Sequence, residues 1–195
     1  MVTGAGPHET TDDSLADDSS PDSSPDSAVE RAETGAGVGK YVCFRLRGQE
    51  LAVAIEAVKE TLAVPPLTRV FLTPPCFAGI INLRGDIVAV LDLAWLLGLG
   101  ATAVSEATRV VICRGRDRDG DGPGRLEAGV LVDALTELRS FDRAGIAPAP
   151  PTLTAAGAGL LAGLATADDG TPLQVLDVDR LLGSEQVRVF QREAH

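Results

Sequence analysis

Gly79-Ile80-Ile81-Asn82-Leu83-Arg84-Gly85-Asp86-Ile87-Val88-Ala89-Val90-Leu91-Asp92-Leu93 reads as two short apolar strands joined by a tight polar turn and closed by an aspartate. Ala78 to Leu83 and Ile87 to Leu91 are apolar at nearly every position, the pattern of strands covered on both faces. Arg84-Gly85-Asp86 supplies the turn between them. Asp92 then precedes Leu93-Ala94-Trp95-Leu96-Leu97-Gly98. Its carboxylate is placed to cap a short helix, and Gly98 to close that helix in left-handed backbone.

The same ending recurs 85 residues later. Val90-Leu91-Asp92 matches Val175-Leu176-Asp177, Leu96-Leu97-Gly98 matches Leu181-Leu182-Gly183, and Gly85 matches the turn glycine Gly170. Ahead of these, Ala78-Gly79-Ile80 is similar to Ala162-Gly163-Leu164 with one residue of slippage. A repeat of this length marks two supersecondary units of several short strands, each closed by a capped helical turn. Two small barrels packed together are expected, over about 40–105 and 106–183, because closure is how short strands dispose of open edges.

Upstream, Val42, Phe44 and Leu46 alternate on one face, Arg47-Gly48-Gln49 turns the chain, and Leu51, Val53 and Ile55 alternate again, a hairpin signal. Downstream, strands are expected at Arg109 to Cys113, Ala128 to Asp133, Leu135 to Phe141, Leu160 to Ala165 and Leu173 to Leu176. Ser184 to Glu193, with Val187 and Phe190 three apart, fits a C-terminal helix docked on the body.

Of the 28 acidic residues, nine lie before Lys40 against the single base Arg31, which leaves 19 acids and 16 bases in the body, a net of −3. Residues 1–39 are rich in Ser, Asp, Pro, Gly and Thr and hold no aromatic side chain. They read as a disordered acidic tail, and residues 40–195 as the folded part. A nearly neutral body offers no basic face for nucleic acid or an anionic membrane. Met1 to Thr11 has neither the basic start nor the apolar run of a secretory signal, so a cytoplasmic location is expected. The uncharged stretch Ala144 to Ala167 holds Pro148, Pro150, Pro151 and four glycines, and reads as a proline-rich loop entering a strand, not a membrane span.

Catalytic groups are scarce. The two histidines are His8, in the tail, and His195, the final residue. No body imidazole is left for a triad, a zinc cluster or a phosphoaccepting site. Cys43, Cys76 and Cys113 are odd in number and unpaired in spacing, which fits buried thiols in a reducing compartment. Asp117-Arg118-Asp119-Gly120-Asp121-Gly122 begins like a calcium loop, but the twelfth position is Ala128, with Glu127 one place early, and the flanks are strand-like. A polar hairpin loop is the better reading. No catalytic residue, metal or cofactor is expected.

The stretch from Gly79 to Leu93 resembles the signature of the CheW-like chemotaxis coupling family, in which a glycine, two apolar residues and Asn-Leu-Arg-Gly lead into a strand ending in Asp-Leu. The resemblance covers about Tyr41 to Gln191. It includes Val58-Lys59-Glu60-Thr61-Leu62, Leu67-Thr68-Arg69-Val70, Gly129-Val130-Leu131-Val132-Asp133 and Ile146-Ala147-Pro148-Ala149-Pro150. The glycine- and aspartate-rich insertion at Arg114 to Gly124 and the long acidic tail depart from the family without interrupting a matching segment.

The resemblance implies a mainly β fold of two SH3-like five-stranded β-barrels packed together, with short capped helices and a C-terminal helix. It implies a non-enzymatic adaptor, recruited to membrane receptor arrays without entering the bilayer. One surface would bind the cytoplasmic tip of a methyl-accepting receptor and another the regulatory domain of the histidine kinase CheA. Receptor contact is expected at Val58, Glu60, Leu62, Asn82, Leu83, Arg84 and Gly85, with an apolar groove between the barrels as the site. The sequence picks no residue for the kinase. Asn82 and Arg84 have an equally good structural reading, the satisfaction of backbone groups at a strand-to-turn corner, and Asp92 and Asp177 are read as helix caps.

Three rivals stand beside this reading. A Ser or Cys hydrolase would need a base other than histidine. A nucleic-acid barrel would need clustered Lys and Arg with exposed aromatics. A coupling protein of the same fold could instead serve a kinase governing surface motility or gene expression.

Overall fold

The computed structural model describes residues 37–116, 125–149, 155–167 and 169–188. All of them belong to one of the two units into which the chain divides, Thr34–His195. The chain runs β1 (Val38–Leu46), β2 (Gln49–Ala54), β3 (Val58–Ala63), β4 (Phe77–Leu83), β5 (Asp86–Asp92), α1 (Leu93–Leu96), β6 (Arg109–Arg116), β7 (Arg125–Val132), β8 (Ala134–Asp142), α2 (Ala155–Ala158), β9 (Leu161–Thr166), β10 (Pro172–Leu176) and α3 (Val178–Leu182). The fold is mainly β: one five-stranded sheet, barrel A, has the order β8-β1-β2-β10-β9, and the other, barrel B, the order β3-β6-β7-β5-β4.

Both orders use the same pattern. A hairpin (β1–β2 or β6–β7) takes an antiparallel third strand on one side (β8 or β3) and, on the other, a parallel strand (β10 or β5) whose antiparallel partner is β9 or β4. The repeat is therefore real, but it does not divide the chain into barrels at 105/106. Barrel B takes β3, β4 and β5 from the first repeat and β6 and β7 from the second, while barrel A takes β1 and β2 from the first and β8, β9 and β10 from the second. Each hairpin sits in the other repeat's barrel, so the two halves interlock.

Three apolar clusters result from this topology. Ile81, Val88, Val90, Val110, Ile112 and Leu131 fill barrel B, and Tyr41, Cys43, Ala52, Ala165, Leu173 and Val175 belong to barrel A. The alternate residues, among them Phe44, Leu46, Leu51 and Val53 from A and Leu91, Val111, Cys113 and Val130 from B, form the cluster between the barrels together with α1 and α3. This is the physical source of the doubly apolar strands, since one face lines a barrel and the other lines the joint. Ile87 is the exception, 66% exposed although it stands in such a run.

Among the described residues, each barrel closes through one isolated backbone bridge. Thr68 exchanges hydrogen bonds of 3.0 and 2.9 Å with Ile80 of β4, and Ala147 exchanges bonds of 2.8 and 2.7 Å with Leu164 of β9. Register shifts skip Ala78 in β4 and Ala162 in β9, and Gly79 and Gly163 come directly after each bulge. A Cβ on Gly79 would stand 2.7 Å from the Thr68 carbonyl oxygen, and one on Gly163 only 2.1 Å from that of Ala147. The repeated Ala-Gly pair is thus the device that lets the closing segment lie against the edge strand.

Val38 and Gly39, assigned by composition to the tail, belong to β1, where they pair with Asp142 and Phe141. Gly37, just ahead of them, is a described turn residue; residues 1–36 of the expected tail and the calcium-like segment Asp117 to Gly122 lie outside the described residues. Of the expected C-terminal helix, residues 185–188 are helical and Val187 is buried in the joint; residues 189–195 are outside the described residues. No helix among the described residues is long and apolar enough to cross a membrane.

Candidate functional site

Strand β3 is an edge of barrel B, bonded only to β6. Val58, Glu60 and Leu62 are half-buried and alternate with exposed Lys59, Thr61 and Ala63. A bulge between Val58 and Glu60 separates their surroundings. Val58 packs against the cluster between the barrels, and Leu62 against the interior of barrel B. Where a groove between the barrels is expected, packed side chains fill the centre of that space.

The turn from β4 to β5 comes to β3 across the seam of the barrel. Arg84 and Gly85 hold φ values of 57° and 103°, the left-handed pair that a two-residue hairpin turn requires. Asn82 accepts a hydrogen bond from the Gly85 backbone N–H through Oδ1 at 2.9 Å, which fixes the turn. Arg84 Nη2 donates to Glu60 Oε2 at 2.7 Å, with the arginine side chain 76% exposed and the glutamate 22%. Leu83 packs with Leu62 against the barrel interior. Asn82 lies directly across from Ile87 in the β4–β5 ladder, so the exposed isoleucine stands beside the Asn82–Gly85 turn.

Five of the seven residues therefore form one corner: Glu60, Asn82, Leu83, Arg84 and Gly85. Leu62 supports it from inside, and Val58 is set apart. Asn82 has a structural duty, whereas Arg84 reaches outward and is tied by an exposed pair of the kind that contributes little to stability, about 0–1 kcal/mol. Ile87 escaped the sequence reading because its apolar run promised burial. Lys59, which pairs with Glu127 at 2.8 Å, escaped it because that partner is 68 residues away.

The aspartates sit at the helix starts. Asp92 Oδ1 accepts from the Trp95 N–H at 3.2 Å and from the Thr102 hydroxyl at 2.8 Å, and its Oδ2 accepts from the Thr102 N–H at 2.8 Å. Asp177 Oδ1 accepts from the Arg180 N–H at 3.0 Å. All three cysteines are buried; burial pushes the Cys113 thiol up to about 12 and raises those of Cys43 and Cys76. Thiols held protonated in this way are poor nucleophiles.

The family model for the CheW-like domain matches residues 40–186. The chain is similar to the chemotaxis protein CheW of Klebsiella aerogenes, 27% identical over 82% of this chain and 92% of that one. It is also similar to protein FrzA of Myxococcus xanthus, 29% identical over 78% of this chain and 91% of that one. Among solved structures, the scaffolding protein TtCheW from Thermoanaerobacter tengcongensis aligns with a TM-score of 0.65 and 28% identity, covering 79% of this chain and 94% of that one.

Proposed function

Since the chain belongs to the CheW-like domain family, we propose that it works as a chemotaxis coupling adaptor, holding a methyl-accepting receptor and the histidine kinase CheA in one assembly. The family match over residues 40–186 carries this reading. The corner of Glu60, Asn82, Leu83, Arg84 and Gly85, with exposed Ile87 beside it, supports a receptor-facing role, because an apolar anchor and an outward cation give a helix both affinity and register. The receptor's cytoplasmic tip is the occupant this reading assigns to the corner. The kinase's regulatory domain takes a separate surface, and the chain acts where receptors are arrayed.

An adaptor of this kind needs stiffness more than chemistry. The interlocked barrels supply it, because neither repeat can move without dragging a hairpin of the other. A receptor that binds one arrangement of the assembly better than another then shifts the kinase by that difference in binding free energy. No group on the adaptor has to react.

The test is capture of a receptor cytoplasmic fragment by the full chain. Arg84→Ala and Ile87→Asp are expected to weaken capture about tenfold, the effect of losing one interface anchor, while the melting transition moves little. Unchanged capture, or loss of folding in step with loss of capture, rejects the receptor assignment. The similarity to FrzA, a relative under a different name, supports a second reading in which the same surfaces serve a kinase governing surface motility or gene expression. Co-purification with the kinase of the same cell separates the two.

A further inference from the structure

The loop between β3 and β4 carries an apolar tip that the coupling reading does not use. Phe71 is 92% and Leu72 104% exposed, and Val70 beside them 41%. Bulky apolar residues in water are common singly, but two at the point of one turn mark a contact surface. The tip is also shaped. Leu72 is held at φ 62°, an unfavourable conformation for a leucine, and the Thr73 hydroxyl donates to the Val70 carbonyl at 2.8 Å across the turn. Strain kept where nothing packs against the residue points to presentation of its side chain.

Next to the tip lies a cleft of about 960 Å³, walled by Pro65, Pro66, Pro75, Phe77 and Val104. Val70 and Thr73, which flank the tip, belong to its lining. Knob and socket therefore share one loop. That arrangement is self-complementary under a two-fold rotation, in which each copy places its tip in the other's cleft. The charges agree. Arg69 and Glu106 both line the cleft and are exposed, and among the described residues neither side chain has an ion-pair partner. A two-fold axis through the loop can set Arg69 of each copy against Glu106 of the other.

We propose that the Phe71–Leu72 tip and its neighbouring cleft form a face on which a second copy of this chain docks about a two-fold axis. The tip leads into β4 while the Arg84 turn leaves it, so the seven residues of that strand put the two surfaces about 20 Å apart. Self-association leaves the receptor-facing corner free. The contact is small, so a dissociation constant on the order of 10 µM is expected.

Sedimentation of the full chain between about 1 and 300 µM, a range bracketing that constant, reads the proposal. The expected result is a mass rising from one chain toward two. Phe71→Asp and Leu72→Asp each raise the dissociation constant at least about tenfold, with the thermal melt unchanged because both side chains are in solvent. Arg69→Glu and Glu106→Arg each weaken association, and the double variant restores it, a rescue that reads the cross-axis pair even should a tip variant fold poorly. A chain that stays monomeric throughout, or a dimer indifferent to all four substitutions, overturns the proposal. So does a monomer whose tip variants lose only kinase capture, which assigns the tip to the kinase. Receptor capture by Arg84 variants is a separate measurement, so this face and the receptor corner can fail independently.

Discussion

Barrels A and B share a strand order and a closing bridge, yet they are filled and finished differently. Barrel B is packed with aliphatic side chains, Ile81, Val88, Val90, Val110, Ile112 and Leu131. Barrel A holds Tyr41 stacked on Phe141 at 3.8 Å between ring centres, with alanines Ala52, Ala165 and Ala167 making room for the rings. Both seams are tied by an ion pair from the third strand to the far turn, with reversed polarity. In B, Glu60 of β3 meets Arg84 of the β4–β5 turn at 2.7 Å; in A, Arg139 of β8 meets Asp169 of the β9–β10 turn at 3.4 Å. In each case the strand-borne partner is the shielded one, 22% and 21% exposed, and the turn-borne one stands out at 76% and 56%. A mechanical element has been kept in both repeats, while the surface it presents has diverged.

The closing glycines offer the harshest way to break the parallel. Gly163→Ala drives a Cβ to 2.1 Å from the Ala147 carbonyl oxygen, whereas Gly79→Ala meets the Thr68 oxygen at 2.7 Å, and both glycines hold positive φ, 158° and 148°. Backbone cannot swing aside as a side-chain end can. Gly163→Ala is expected to destabilise by about 3–5 kcal/mol and Gly79→Ala by about 1–3, measured by denaturant unfolding. Equal values would mean that the two bridges yield equally and that barrel A is no tighter at its seam.

The helix caps come next. Asp92 is nearly buried and accepts three hydrogen bonds, two of them from Thr102 on the loop after α1. Asp177 caps α3 with one backbone bond and pairs with Arg180 at 3.1 Å. Asp92→Ala leaves Thr102 and the helix start unpaired at once, for about 2–3 kcal/mol, against about 1 for Asp177→Ala. A larger effect at Asp177 would show that the first repeat's loop contributes nothing to the difference.

Much of this was legible locally. The turn glycines, the capping aspartates and the recurrent Ala-Gly pair are short-range signals, and the repeat they spell out fixes the common plan of the barrels. Which hairpin enters which barrel was not legible, because Val42, Phe44 and Leu46 alternate identically whichever sheet receives them. The pairing of β2 with β10 joins residues more than a hundred positions apart. At the candidate site, the Asn82 to Gly85 turn is visible in its residue types, but the meeting of Arg84 with Glu60 depends on barrel closure. Phe71 and Leu72 went unread for a simpler reason: apolar residues promise burial, and only the folded loop shows that nothing covers them.

The smallest expected effects lie in the two seam ion pairs, and they sharpen the comparison most. Exchanging the charges in B, Glu60→Arg with Arg84→Glu, re-forms the pair in mirror polarity and should restore whatever the single changes remove, about 0.2–1 kcal/mol for an exposed pair. The same exchange in A should not, because Arg139 also binds Glu137, at 2.7 Å through Nε, and a glutamate at 139 would face that carboxylate. Thermal melts of the two double variants against their singles read the difference. Acid provides the second reading. The Asp169 carboxyl is held below its ordinary value first by the Thr171 backbone N–H, then by the Thr171 hydroxyl and by Arg139. A carboxyl with a depressed folded pKa stabilises fully above its unfolded value, about 3.9, and loses that stabilisation as pH falls through the folded one. Wild type and Asp169→Asn should therefore differ slightly at pH 6 and converge once pH has fallen through the depressed folded value, where both side chains are neutral. A difference that persists there would assign the seam's contribution in barrel A to the geometry of the Asp169–Thr171 turn, and not to its charge.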